Sequence, residues 1–198
     1  CLVPLYTAVF VPEEYGVVTN IYAYVAFVLV FLTYGMETGF FRFARRNEHE
    51  LSSIYTTILT SIGFTSTMFI ALLWLFIEPV SAAMKYSSTP SFVLMMGITV
   101  AIDAFTAIPF AYLRFKQRPI RFAFCPWLWE VAPESISWFY DPTYGVGYIF
   151  VANIMSSAIV MLLLLPEIVA ERFSFNGNLL RTMLRFSFPL LIAGIAGI

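Results

Sequence analysis

The sequence predicts an all-α protein that crosses a membrane several times. Hydrophobic residues make up 60% of the chain and charged residues only 12%, whereas about a quarter of the residues in a soluble globular domain are charged. The mean hydropathy is +0.83. Long uncharged runs alternate with short charged segments, and a run that crosses a bilayer alone must satisfy its backbone groups internally, as a helix.

Four of these runs are long enough to cross, since a transmembrane helix needs about 20 residues. The first is uncharged from Tyr15 to Met36. Shorter apolar runs at the two ends of the chain predict partial helices, which would make the chain an internal piece of a longer protein, truncated at both ends. The predicted spans are about 15–41, 51–77, 91–115 and 143–165, and the partial helices are 1–10 and 186–198.

The basic residues predict how the spans are oriented. Of the eleven lysines and arginines, all but Lys85 follow the first, third or fourth span, so the positive-inside rule places those three ends in the cytoplasm. The clusters are Arg42, Arg45 and Arg46; Arg114, Lys116, Arg118 and Arg121; and Arg172, Arg181 and Arg185.

The third and fourth predicted spans end on the same side, so the chain must cross once more between them. The intervening stretch, 122–143, contains three acidic residues and three prolines. Each acid costs roughly 2.5–3.5 kcal/mol at the bilayer centre, and proline interrupts a helix. We therefore expect a span to be missing near 122–125, with an unusual local topology as the alternative.

Asp103 lies near the middle of the third span, where an ionised acid is most costly and a functional role is the default expectation. It is predicted either to face a cavity as a gating or proton-linked acid, or to hydrogen-bond a neighbouring helix and stabilise packing. Arg114 follows eleven residues later, about three helical turns, and so projects from nearly the same face. Alone, it also fits a topological or snorkelling role.

Glu37 lies near the cytoplasmic end of the first span. Its spacing to Arg42 does not place the two on one helix face, so its predicted partner is Arg114 on the third span. That pair would be either an intracellular gate or a permanent structural contact. Arg42, nearest the bilayer in its cluster, is predicted to bind an anionic head group or simply to fix topology.

Two glycines lie near the end of the first predicted span. Gly35 and Gly39, four residues apart, permit another helix to approach.

The sequence offers no set of catalytic residues. With one histidine and two cysteines, it forms no nucleophile arrangement, metal cluster or nucleotide motif. The sequence therefore predicts no enzyme, no cofactor, no metal and no nucleic-acid partner.

Several segments also resemble a known family. The run Tyr34–Ala44 (YGMETGFFRFA) and three further segments, Leu5–Gly16, Asp103–Arg121 and Phe139–Asn153, resemble the bacterial oligosaccharide and polysaccharide flippases (Wzx-like) of the multidrug/oligosaccharidyl-lipid/polysaccharide exporter superfamily. The resemblance implies a MATE-like transporter of two helical bundles in the bacterial cytoplasmic (inner) membrane. This chain would be the N-terminal bundle, and the second bundle would be missing.

The function implied by the resemblance is translocation of a polyprenyl-pyrophosphate-linked oligosaccharide by alternating access, for surface polysaccharide biosynthesis. The expected partners are that lipid-linked oligosaccharide, membrane lipids and a coupling ion, either proton or sodium. Glu37, Arg42, Asp103 and Arg114 are the substrate or gating candidates. Two alternatives remain: a cation-coupled multidrug exporter that uses Asp103 or Glu37 as a cavity acid, and a membrane scaffold of glycan assembly that transports nothing.

Overall fold

The computed structural model describes residues 12–46, 50–86, 89–117, 147–169 and 171–196. Within these ranges the regular elements are all α-helices, which confirms the predicted fold class. The helices are α1 (Pro12–Thr33), α2 (Met36–Arg46), α3 (Leu51–Leu75), α4 (Ile77–Ala83), α5 (Pro90–Phe115), α6 (Gly147–Val169) and α7 (Gly177–Ala196).

Five segments of the described chain are helical, long and apolar enough to cross a membrane. The first combines most of α1 with α2, and the others are α3, α5, α6 and α7. The protein is therefore an all-α polytopic membrane protein. The predicted helix 1–10 and the predicted missing span near 122–125 lie outside the described residues.

Helix α5 is the centre of the bundle and packs against α1, α2, α3, α4 and α6. It runs parallel to α6, because the rings of Phe92 and Phe150 meet near the start of both helices, 4.9 Å apart, and Leu113 packs on Leu164 near their ends. It runs antiparallel to α3, since a side chain near the end of α3, Leu73, meets Gly97 in the first half of α5.

The ends of α2, α5 and α6 gather with the start of α7, and we call this the basic end of the bundle. Ser174, just before α7, contacts Thr56 in the first turns of α3, while Arg114 and Lys116 close α5. The opposite end holds α4 and the starts of α1 and α5, where Asn20 donates a hydrogen bond to the Tyr86 hydroxyl. Thus α5 and α6 end on one side, as the basic clusters predict.

The first predicted span is not one continuous helix. It breaks at Tyr34 and Gly35, which have φ of 33° and 69°, a conformation that glycine adopts without steric cost. The Tyr34 hydroxyl bonds the Ser61 hydroxyl at 2.7 Å, and the Gly35 carbonyl accepts a hydrogen bond from the Gly39 N–H at 3.1 Å. Partners on the next turn and on α3 therefore satisfy the polar groups near the break.

Helix α7 packs against this break, as the two glycines predict. A Cβ on Gly35 would lie 3.0 Å from the Leu190 Cβ, and one on Gly39 would lie 2.9 Å from the Ser187 hydroxyl oxygen. Only glycine allows the two backbones to come this close. The side of α2 that carries the glycines is thus covered by α7.

The predicted partial helix 186–198 is wrong, because α7 begins at Gly177 and is long enough to cross. Its start is capped by Asn176, whose side-chain oxygen accepts the N–H groups of Asn178 and Leu179 at 3.1 and 3.2 Å. The exposed Arg181 and Arg185 lie in its first turns, where a sequence reading counts them as part of a loop. The other boundaries differ by a few residues: α3 ends at Leu75, and α6 runs from Gly147 past Pro166 to Val169.

We expect the Gly35→Ala variant to be less stable, because an alanine in the left-handed region costs about 1–2 kcal/mol and its Cβ would crowd α7. Thermal unfolding of the purified protein in detergent, followed by tryptophan fluorescence, measures the loss. Gly16→Ala is the matched control: a Cβ there meets nothing within 4 Å, and alanine favours a helix. Equal melting temperatures for the two variants would contradict the proposed role of Gly35.

Candidate functional site

The predicted partnership of Glu37 and Arg114 is present at the basic end. The Arg114 Nη1 atom donates to the Glu37 Oε1 atom at 3.0 Å, and the two side chains are 50% and 41% exposed. The guanidinium also lies 5.7 Å from the centre of the Phe41 ring. The contact joins α2 to α5, while its role as a gate stays a prediction.

The helix break explains why this pair forms where it does. Because α2 starts anew at Met36, Glu37 lies in the first turn of a helix and Arg114 in the last turn of another. A helix favours an acid at its N-terminus and a cation at its C-terminus, each by about 0.3–1 kcal/mol at exposed sites. Both helix dipoles therefore favour the charges of the pair.

A second cluster at the basic end joins α5 to the chain beyond α6, and we call it the Glu171 clasp. It consists of Tyr112, Lys116 and Glu171. The Tyr112 hydroxyl and the Lys116 Nζ atom both donate to the Glu171 Oε1 atom, the latter at 2.9 Å. The Lys116 ammonium also lies 4.5 Å from the centre of the Tyr112 ring. A single carboxylate oxygen therefore holds the end of α5 to the chain beyond α6.

The clasp shifts the protonation equilibria of its two charged members. The hydrogen bond from Tyr112, followed by that from Lys116, lowers the pKa of the Glu171 carboxyl. The contacts with Tyr112 and then Glu171 raise the pKa of the Lys116 ammonium. Sequence spacing could not reveal this cluster, because Glu171 lies 55 residues from Lys116.

Helix α3 is tied to the same end by hydroxyl groups. The buried Tyr55 packs on the Tyr112 ring, with centroids 4.4 Å apart, and donates to the Glu167 backbone oxygen at 3.0 Å. Thr56 donates to the Ser174 carbonyl at 3.0 Å and accepts the Ser174 N–H at 3.2 Å. The starts of α3 and α7 and the ends of α5 and α6 thus form one connected network.

Arg42 does not join the Glu37–Arg114 pair. Its guanidinium lies 4.0 Å from the centre of the Phe186 ring on α7, and the residue is exposed. A guanidinium over an aromatic face keeps its hydrogen-bond donors available at the edges. Its predicted contact with an anionic head group remains a prediction that this geometry permits.

Asp103 belongs to a separate group of polar side chains in the middle of the bundle. Its carboxyl lies beside the Ser157 hydroxyl of α6 and interacts electrostatically with Tyr22 of α1. The Asn153 amide donates to the Tyr22 hydroxyl at 2.7 Å and to the Ile149 carbonyl at 2.8 Å. We call Tyr22, Asp103, Asn153 and Ser157 the mid-bilayer cluster.

The Ser157 hydroxyl is the least satisfied member of this cluster. It is buried, and it makes no hydrogen bond of standard geometry within the described part of the chain. A buried hydroxyl without a partner costs about 1–3 kcal/mol. The Asp103 carboxyl beside it is an acceptor to which this hydroxyl can donate.

Of the sequence-predicted residues, only Glu37 and Arg114 come together. Asp103 and Arg114 are eleven positions apart, which is about 16 Å along the helix axis. The mid-bilayer cluster and the basic end are therefore distinct sites on α5. Sequence reasoning missed Tyr22, Asn153 and Ser157. The one available signal was that Asn153 and Ser157 are four residues apart, on one face of α6.

No group of three or more potential metal ligands exists among the residues that the structure describes. A family model described as "Polysaccharide biosynthesis protein" matches residues 9–198 of the chain. The match therefore includes every residue of the basic end and of the mid-bilayer cluster. No curated protein and no solved structure matches the chain.

We expect the effects of Glu37→Gln and Arg114→Gln on the free energy of unfolding to be non-additive. Exposed ion pairs couple by about 0.2–1 kcal/mol, and this pair is about half exposed. Denaturant titration of the two single variants and the double variant measures the coupling. Glu37→Gln combined with Lys116→Gln, which share no ion pair, is the control and should be additive. Simple additivity in both cycles would show that the Glu37–Arg114 contact contributes nothing.

The Glu171 clasp predicts a specific dependence of stability on pH. A carboxyl whose pKa is lower in the folded chain adds stability above its unfolded pKa and loses it as the pH falls through the folded pKa. The raised pKa of Lys116 acts oppositely: its contribution is complete below the unfolded pKa and is lost as the pH rises through the folded value. The clasp is therefore stabilising across neutral pH.

The variant Glu171→Gln should accordingly lose less stability on acidification below 4.5, the ordinary pKa of a glutamate. Melting temperatures across a series of acidic buffers measure this slope, and the exposed Glu78, changed to glutamine, is the control. An acid slope identical to that of the unaltered protein would refute the assignment.

Proposed function

From the premise that the chain belongs to the polysaccharide biosynthesis protein family, we propose that it translocates a lipid-linked glycan precursor across the bacterial cytoplasmic membrane. The cargo is an oligosaccharide attached to a polyprenyl pyrophosphate. The family assigns a role in polysaccharide biosynthesis, and the helices assign a multi-pass membrane protein. The transport step and the cargo are the proposal.

The observation that carries the proposal is the mid-bilayer cluster. Polar and ionisable groups inside a membrane are costly, and they mark substrate or ion pathways more often than they stabilise a bundle. Asp103, halfway along α5, faces hydroxyls of α1 and α6. A scaffold for glycan enzymes has no use for this cost, whereas a transporter that couples to an ion needs such an acid.

The basic end suits a gate that opens reversibly. Because the Glu37–Arg114 pair is about half exposed, breaking it costs about 1 kcal/mol or less. Arginine binds carboxylate and phosphate with the same planar array of donors. A pyrophosphate arriving from the cytoplasmic leaflet would therefore replace Glu37 as the partner of Arg114. Arg42, on the neighbouring α2, would add a second cation.

Transport then proceeds by alternating access around a site near the membrane midplane. An ion gradient would reset the carrier through Asp103, and the coupling ion is a proton or sodium. One charge that moves through 100 mV supplies about 2.3 kcal/mol. A single coupled acid is therefore enough to bias the leaflet distribution of the cargo.

The proposal is tested by deleting the complete gene in its host and extracting the lipid-linked glycans. We expect intermediates to accumulate on the inner leaflet and surface polysaccharide to be lost. Normal glycans together with new sensitivity to cationic toxins would instead favour a cation-coupled multidrug exporter. Normal glycans without that sensitivity would contradict transport altogether.

The variant Asp103→Asn in the full-length protein should reduce transport while leaving expression unchanged. Loss of one coupled charge at 100 mV removes about 2.3 kcal/mol, which is about fifty-fold in the leaflet ratio of the cargo. The ratio is measured in vesicles with an enzyme that attacks only outward-facing glycan. Asp103→Glu should restore part of it, and Glu78→Gln, an exposed acid at the opposite end, is the control. Wild-type transport by Asp103→Asn would remove this residue from the mechanism.

A further inference from the structure

An apolar cavity of the described residues lies away from both sites, in the half of the bundle towards the opposite end. Its volume is about 420 Å³, and its walls are formed by α1, α3, α4 and α5. No charged side chain lines it. On α5 it extends from Val93 to Val100, and on α1 from Ile21 to Val28, so it is about 10 Å long parallel to the helices.

The cavity opens sideways towards the bilayer. Tyr24, Leu72 and Phe76 line it and are 44%, 46% and 50% exposed, so they form its mouth on the outer surface of the helices. Its wall is closely packed, because a Cβ on Gly97 would lie 2.0 Å from the Leu73 Cδ2 atom. The space is therefore not a loose crossing of α3 and α5.

The chemistry of the walls selects a hydrocarbon occupant. A cavity lined by apolar groups stays dry and accepts apolar ligands, and protein interiors tolerate few voids of this size. In a membrane, the apolar molecules within reach of a lateral opening are lipid chains. The methionines Met84 and Met96 in the lining are adaptable and suit a flexible chain.

A cation, Lys85, lies at the end of the cavity and indicates that the hydrocarbon occupant carries a phosphate. Lys85 directly follows Met84, which lines the cavity. The next residue, Tyr86, contacts Asn20, one residue before the lining residue Ile21. Lys85 is exposed and forms no ion pair with the residues that the structure describes. A lysine ammonium at this position can bind a phosphate as a point charge.

We propose that this cavity binds the polyprenyl chain of the translocated lipid carrier on the side where the cargo leaves, with the carrier phosphate at Lys85. The inference deepens the proposed function and rests on it for the identity of the lipid. The site holds the carrier by its chain and phosphate, parts that do not depend on the glycan. A chain retained there keeps the carrier beside the bundle after its head group has crossed.

The test uses two photoreactive lipids in membranes that contain the full-length protein. One is a polyprenyl phosphate with a diazirine in the isoprene units next to the phosphate, and the other is a phosphatidylglycerol with a diazirine in an acyl chain. After irradiation, peptide mass spectrometry locates the adducts. We expect the polyprenyl probe to label the lining of α1 and α3, and to do so more strongly than the phosphatidylglycerol probe.

Two variants and two controls sharpen the result. Val28→Trp fills the inner end of the cavity and should abolish labelling there, whereas Leu163→Trp on the exposed surface of α6 should not. Lys85→Gln should weaken labelling about fivefold, since one surface lysine contributes about 1 kcal/mol to binding an anionic lipid. Glu78→Gln, at the same end and of opposite charge, should not weaken it. The Lys85 change is at an exposed position, so it is interpretable even if Val28→Trp fails to fold.

Equal labelling by both probes would overturn the choice of lipid, and labelling that persists in Val28→Trp would overturn the site. Protection of these residues by another part of the full-length chain would also overturn it. The proposed function is measured separately by the leaflet assay. Cavity labelling without translocation would refute transport alone, whereas translocation without labelling would refute this site alone.

Discussion

The break between α1 and α2 is the constraint on which the basic end depends. A continuous helix would place Glu37 in a helix interior, without the favourable field of a helix start. Because Gly35 takes a positive φ and lacks a Cβ, α7 approaches this segment closely through Leu190. Tyr34 and Gly35 together thus set the direction of α2 and the position of its acid, and Gly35 also sets the contact with α7.

Helix α5 carries both candidate sites and links them mechanically. Its middle meets α1 and α6 at the mid-bilayer cluster, and its last turns meet α2 through Arg114 and the chain after α6 through the Glu171 clasp. Side-chain contacts with α6 extend along most of α5, from Phe92 to Leu113. The proposed gate at Arg114 and the proposed coupling acid Asp103 therefore lie on one packed helix, about 16 Å apart.

Much of the fold could be predicted from the sequence, but less of the site. Long apolar runs and basic clusters predict spans and relative orientation because the bilayer imposes both. The Glu37–Arg114 pair was predictable because both lie at one depth. The break between α1 and α2 could not be predicted, since a glycine in an apolar run permits a helix as well as a turn. The start of α7 was missed because Arg181 and Arg185 resemble a loop. Contacts such as Lys116 with Glu171 depend on tertiary packing across 55 residues, which no local spacing encodes.

The two acids on the predicted list differ in a way that follows from their partners. Glu37 forms an ion pair with Arg114, and an arginine stays protonated in proteins. The neighbours of Asp103 are instead the neutral hydroxyls of Ser157 and Tyr22. A hydroxyl can donate to a carboxylate or accept from a carboxylic acid, so these neighbours are suited to either charge state of Asp103. The acid at the basic end is thus paired with a cation, whereas the neighbours given for Asp103 are neutral, and the proposed ion coupling at Asp103 depends on this difference.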